Sequence, residues 1–281
     1  MPSPTELLEQ WQADLAAWAI PDRITAAVPD SPWVLPREVF ARRADRLRQA
    51  PGGPSYDREW EALGAGGGSV LDVGSGAGAA CLPLAARTTR LTAVDTDERM
   101  LGMLTERAAA AGIDTAAAVG RWPDIAGQVP AADLVTCHNV VFNVPDLGPF
   151  LAQLTSHARR RVVVETTAVH PLAALNALWL RFHGLKRPEG PSASDLLRIL
   201  DAMGIRARHT EWCRPAEADY RGMAELVEVT RRRLCLPPER AGEVEAALRD
   251  LRADSPASPG HLGDLGTAGR DVVTIWWEGS A

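Results

Sequence analysis

The stretch "SVLDVGSGAGAACLPLA", Ser69 to Ala85, limits the possible folds more than any other. An apolar run ends in an aspartate, and glycines follow at every second position: Gly74, Gly76 and Gly78. A strand, a glycine-rich turn and then a helix would place backbone N–H groups beside a ligand at the carboxyl edge of a sheet. Three missing Cβ atoms would let that ligand approach the chain.

The pattern continues as an alternation. Strands are expected at 69–73, 91–95, 115–120, 132–138 and 161–166. Helices are expected at 78–87, 97–111 and 145–159, the second with Asp97 and Glu98 in its first turn. Arginines 159–161 then fall at a helix end, where cations suit the dipole. Runs of Val and Leu without period-two polarity fit strands covered on both faces, so the reading is α/β: a parallel sheet with helices on both sides.

Around this core, helices are expected at 5–19 and 37–49, separated by prolines, with punctuation at 51–55 and 64–69. Beyond Thr167, residues 170–191 read as helix then loop. Ser194 caps a helix that Gly204 stops. Residues 205–212 form a possible strand, 219–234 and 238–252 are helical, 253–268 are a Ser/Pro/Gly-rich linker, and "DVVTIWW" (271–277) is a closing strand.

Of the 281 residues, 46% are hydrophobic, enough for a substantial core, and the net charge of −6 disfavours a broad basic surface for nucleic acid. Four dispersed cysteines form no CxxC pair and suit a reducing cytoplasm. No apolar run approaches membrane-spanning length, and the first residues lack the order of a signal peptide.

Spacing separates two ligand classes. Dinucleotide binders use GxGxxG, whereas here Ala79 stands where the third glycine would be. Asp72, two residues before the first glycine, is a poor neighbour for a pyrophosphate and a good one for an ammonium group. Asp95, which closes the next strand, can accept ribose hydroxyls.

On these residues, D-x-G-x-G-x-G after a strand with Asp95 beyond it, the chain resembles the class I S-adenosylmethionine-dependent methyltransferases. The tracts "GRWPD", "RFHGLKRPEGP" and "RRRLCLP" further resemble an uncharacterised actinobacterial-type group within them. The resemblance implies a Rossmann-like seven-stranded sheet, mostly parallel with the last strand antiparallel. It implies a helical N-terminal cap over residues 1–64 and a methyltransferase domain over 65–281, with helical insertions near 168–192 and 214–268.

It also implies S-adenosyl-L-methionine as cofactor, held by Asp72, Gly74, Ser75, Gly76, Gly78, Asp95, Thr96, Arg121, Trp122 and His138. Arg121 departs from the family, which often carries an acid there for the adenine amino group. Trp122, by stacking, or a backbone carbonyl would then hold the adenine ring; otherwise Trp122 is a core or turn residue.

A base is needed only if the acceptor carries a proton on its nucleophilic atom. His138 and Glu165, at expected strand ends, are the catalytic candidates. The alternative for His138 is a structural contact. A buried Glu165 must either face solvent at a pocket or pair with an arginine. His170 and His183 could line an acceptor pocket or lie on the surface.

Cys137 lacks the proline-cysteine context of thiolate methylation of base carbons, and "HNVVF" replaces the motif of exocyclic-amine methylation. The expected acceptor is a small molecule or lipid-like. The rival readings are a nicotinamide-dependent oxidoreductase and a non-catalytic S-adenosylmethionine-binding protein.

Overall fold

The computed structural model describes residues 2–29, 31–32, 36–215, 220–254 and 270–280. The expected linker at 253–268 lies, from residue 255 onward, outside the described residues.

Helices α1 (Pro4–Ala16), α2 (Asp22–Thr25), α3 (Arg37–Gln49) and α4 (Pro54–Leu63) precede the sheet. Ser3 and Glu6 form a capping box at α1, which satisfies two orphan N–H groups. α4 arises from a stretch for which the sequence raised no helix. Its buried face is Ser55, Glu59 and Leu63, spaced four apart, and two of those three are polar.

The remaining elements are β1 (Gly68–Val73), β2 (Thr88–Asp95), α5 (Glu98–Ala110), β3 (Thr115–Val119), β4 (Ala132–His138), α6 (Leu147–His157) and β5 (Ala158–Thr167). Then come α7 (Asn176–His183), α8 (Ala193–Ala202), β6 (Arg208–Arg214), α9 (Met223–Arg233), α10 (Ala241–Asp254) and β7 (Arg270–Glu278). The seven strands form one sheet in the order β3-β2-β1-β4-β5-β7-β6. β7 runs antiparallel to both its neighbours, while β1, β2, β3, β4 and β5 pair in parallel.

The sheet is covered on both faces. One apolar layer joins Leu71, Val73, Val135, Val162 and Val164 to Phe150, Leu151 and Leu154 of α6 and to Leu196 and Leu200 of α8. The other joins Val70, Leu91, Leu134 and Val163 to Leu101 and Leu104 of α5 and to Leu63 of α4. At roughly 1.5–3 kcal/mol per fully buried large aliphatic side chain, these layers are the main stabilising term. A separate cluster joins Trp179, Leu226, Leu234 and Val244 on the α7, α9 and α10 side.

Three local expectations are corrected. Ser192, not Ser194, caps α8: its hydroxyl accepts from the Asp195 N–H in a capping box, and Ser194 lies within the helix. The helix expected at 78–87 is only a 3-10 turn over Leu82–Arg87: Gly78, at φ +94°, lies outside helical geometry and cannot open it, and β2 starts directly after Arg87. Arginines 159–161 open β5 instead of ending a helix: α6 stops at His157 and the strand begins at Ala158. Acids on neighbouring elements hold them there, with Arg160 against Asp133 and Arg161 against Glu61 and Glu278.

Candidate functional site

β1 is paired with β2 on one side and β4 on the other, so the strand order reverses at its carboxyl end, the position where open α/β sheets hold ligands. A cavity of about 770 Å³ lies there. Its wall brings together Asp72, Gly74, Ser75, Gly76, Asp95, Thr96, Arg121, Trp122, His138 and Glu165. Gly78, His170 and His183 are not among the lining residues.

The glycine turn is built mainly for its own packing. Gly74, Gly76 and Gly78 all have positive φ, where a Cβ is strained. A Cβ on Gly74 would stand 2.3 Å from Val140 Cγ2, and one on Gly78 would stand 2.7 Å from Leu82 Cδ1. Only Gly76 is open, with nothing nearer than Met100 Cε at 3.4 Å. The three side chains are therefore absent for backbone geometry and close internal packing, and ligand access is at most part of the reason at Gly76.

Asp95 fastens this turn. Its Oδ2 accepts from the Gly76 N–H at 2.8 Å and its Oδ1 from the Asp97 N–H at 2.9 Å, which leaves each oxygen further acceptor capacity. Asp97 caps α5 by accepting from the Arg99 and Met100 N–H groups, and it receives Arg37 of α3 at 2.8 Å.

Asp72 is 1% exposed, and neither carboxyl oxygen has a hydrogen-bond partner. Burial pushes its pKa up to about 7, with Cys81 and His138 offsetting only part of that effect. Ser75 Oγ and Trp122 Nε1 are likewise buried without partners. Trp122 is buried against the ring of His157, edge-on at 4.9 Å.

On the β4 and β5 side a buried polar cluster borders the cavity. His138 Nε2 lies 2.8 Å from Glu59 Oε1 of α4, an ion-pair contact whose N–H is not aimed as a hydrogen bond. Thr136 Oγ1 donates to the same carboxylate oxygen at 2.5 Å. Arg214 Nη2 donates to Glu165 Oε2 at 2.7 Å, which resolves the earlier alternatives for Glu165 in favour of an arginine pair.

Burial alone would lower the His138 pKa, but Glu59, Glu165 and Asp72 together outweigh it and raise the value to about 9. Burial would raise Glu165, yet Arg214, His138 and the Ser55 hydroxyl hold it down to about 2. At neutral pH, then, His138 is an imidazolium and Glu165 a carboxylate. Cys137 is buried, and burial pushes its thiol pKa up.

The other two histidines have contacts elsewhere. His170 stacks on Trp18 with centroids 4.0 Å apart, and burial, with Arg187 and Arg233, lowers its pKa to about 4. His183 Nε2 donates to the Leu234 carbonyl at 2.6 Å.

Sequence reasoning missed Glu59, Arg214 and Arg37. A glutamate sharing a helical stripe with Ser55 and Leu63 was the available signal for the first. The arginines carry no local signal, because only the fold brings them to the cavity.

Residues 70–161 match the family model described as a methyltransferase domain. No curated protein matches the chain. Among solved structures, the YcgJ protein from Bacillus subtilis is similar with a TM-score of 0.53 and 16% identity, over 81% of this chain and 98% of that one. An S-adenosylmethionine-dependent methyltransferase from Archaeoglobus fulgidus gives 0.47 and 16%, over 86% and 94%. The magnesium protoporphyrin IX methyltransferase from Synechocystis, with bound S-adenosylhomocysteine, gives 0.45 and 20%, over 63% and 77%. The sheet order and the match over 70–161 agree with the glycine motif, and residues 70–161 form a methyltransferase domain.

Proposed function

We propose that the cavity at the end of β1 takes S-adenosylmethionine and one small-molecule or lipid-like acceptor side by side. The observation that carries this is the clustering of orphaned buried polar atoms on the cavity wall: both oxygens of Asp72, Ser75 Oγ and Trp122 Nε1. An unpaired buried carboxylate is costly unless a ligand supplies its partner, and a cationic ammonium group does so.

In this reading Asp72 receives the ammonium group, Gly74, Ser75 and Gly76 border the methionine portion, and Asp95 accepts the ribose hydroxyls with its remaining lone pairs. Thr96, Arg121 and Trp122 border the adenosine. When bound, the cofactor supplies a sulfonium-activated methyl group for in-line transfer. The chain's own contribution is alignment and exclusion of water.

His138 and Glu165 face the acceptor end of the same cavity. His138 is protonated at neutral pH, so it serves there as a donor and a charge. The acceptor's nucleophilic atom then reaches the site with a lone pair already available. A volume of about 770 Å³ falls in the small-ligand range.

Residues 1–64 act as a helical cap over a methyltransferase domain spanning 65–281. Phe40 and Leu47 of α3 give the cavity an apolar wall that favours a small or lipid-like acceptor. Among the described residues no helix is long and apolar enough to cross a membrane, and we place the protein in the cytoplasm. The pyrophosphate of a nicotinamide cofactor would meet the Asp72 carboxyl, which weighs against the oxidoreductase reading.

Calorimetric titration with S-adenosylmethionine, S-adenosylhomocysteine and NAD tests the site. Micromolar binding of the first two and none of NAD is expected. Binding of NAD alone would mean that the turn at Gly74–Gly78 holds a pyrophosphate, and the reading would fall.

A further inference from the structure

α4 contributes more than cover. Glu59 is 1% exposed, which is rare for a glutamate unless it is paired. Its Oε1 meets both His138 Nε2 and Thr136 Oγ1, so a single carboxylate oxygen from the segment before the sheet is fixed between two residues of β4. Beside it Ser55 Oγ lies 2.7 Å from Thr274 Oγ1, and Trp212 Nε1 donates to that same Thr274 oxygen at 3.0 Å. The helix is thereby pinned to β4 and β7 by polar contacts as well as by Leu63.

The groups around the His138 ring come from every neighbouring element. Glu59 stands on α4, Asp72 on β1, Glu165 on β5 and Thr136 on β4 itself, while Arg214 of β6 is engaged by Glu165. His138 borders the main cavity, and Glu59 borders only the small void behind it. Among the described residues, His138 Nδ1 has no hydrogen-bond partner.

We propose that Glu59 is a positioning residue for His138, anchoring the imidazole by Nε2 and leaving Nδ1 as the donor available to whatever occupies the acceptor end of the cavity. The inference rests on the reading of that cavity as the reaction site. On it, the segment before the sheet completes the site instead of merely shielding it. His138 is kept as a hydrogen-bond donor and is withheld from proton abstraction. Charge supports this: an acid within contact distance of a histidine favours its protonated form, and three acids surround this one.

The test is the titration of the histidine side chains by nitrogen-detected NMR on the full chain without cofactor. With 6 histidines, His138 is assigned by the resonance lost in His138→Asn. A His138 midpoint near 9 is expected in the unmodified protein. Glu59→Gln, which keeps shape and removes charge, should lower that midpoint by about one pH unit or more, and Glu59→Asp should recover part of the shift. A purely structural glutamate would not move the midpoint in this ordered way.

A midpoint in the unmodified protein at or below the ordinary histidine value of about 6.5 overturns the proposal without recourse to any variant. So does an unchanged midpoint in a folded Glu59→Gln. Titration of the same samples with S-adenosylhomocysteine is a separate readout. Its failure would remove the cofactor reading while leaving the Glu59–His138 relationship measurable.

Discussion

Arg214 Nη2 and Glu165 Oε2 lie 2.7 Å apart at the cavity wall, with the glutamate side chain 1% exposed and the arginine 12%. Removing one partner from such a pair strands a buried charge. Arg214→Met is expected to cost about 3–5 kcal/mol of folding stability, measured by urea unfolding. The pH dependence has a definite sign. Glu165 is held down to about 2 in the fold, so its contribution is present above the unfolded carboxyl range and fades as pH falls from about 4.5 towards 2. Arg214→Met should remove much of that acid-limb slope, and an unaltered slope would mean the pair is not coupled as described.

Asp72 works in the opposite direction. Its folded pKa near 7 lies above the unfolded value of 3.8, so it favours the fold fully only at low pH and loses that advantage as pH rises through 7. Asp72→Asn should therefore raise the melting temperature of the cofactor-free protein relative to the unmodified chain at about pH 8, and by clearly less at about pH 5, the difference vanishing only below the unfolded value of 3.8. A thermal scan at the two pH values reads this directly.

On the proposed reading, the same carboxyl sets the pH dependence of cofactor binding. If Asp72 must be ionised to meet an ammonium group, affinity for S-adenosylmethionine should rise with pH up to about 7 and weaken by roughly tenfold per unit below it. Asp72→Ala and Asp95→Ala should each weaken binding by at least tenfold, about 1.4 kcal/mol. Full affinity retained in both variants, measured by calorimetry, would remove these residues from the site.

The glycine turn offers a discriminating pair. Gly74→Ala meets Val140 at 2.3 Å and also strains a φ of +72°, so a loss of about 2–4 kcal/mol is expected from left-handed strain and overpacking together. Gly76→Ala carries the strain without the severe clash, and should cost about 1–2 kcal/mol. Val140→Ala in the Gly74→Ala background should restore part of the loss. A denaturant series on the three variants that shows no such recovery would point to another cause for the glycine at 74.

Most of the sheet was legible because its signals are local. Apolar runs such as "RVVVET" can only be strands covered on both faces, and the spacing of Asp72, the glycines and Asp95 is set by one strand–turn–strand unit. α4 was not legible, because its buried face carries Ser55 and Glu59 where an apolar stripe would have announced it. The reason for the glycines was misread for a related cause: Val140 lies 66 positions away in sequence, and only the sheet brings it against Gly74. Arg214 likewise reaches Glu165 through the placement of β6, which no local pattern encodes. Contacts that cross the fold are where sequence reading ran out, and the cavity is made of them.

The position of β7 has a temporal consequence. It follows β6 in the chain yet lies between β5 and β6, pairing antiparallel with both. While the polypeptide is being synthesised, β6 has no partner until β7 emerges, and Arg214 at its end cannot reach Glu165. The strands β1 through β5 can pair once β5 has emerged, whereas the side of the cavity bordered by Arg214 waits for β7, the last of the seven strands. The topology thus orders assembly: the glycine-turn side of the cavity can form first, and the side closed by the Arg214–Glu165 pair is finished last.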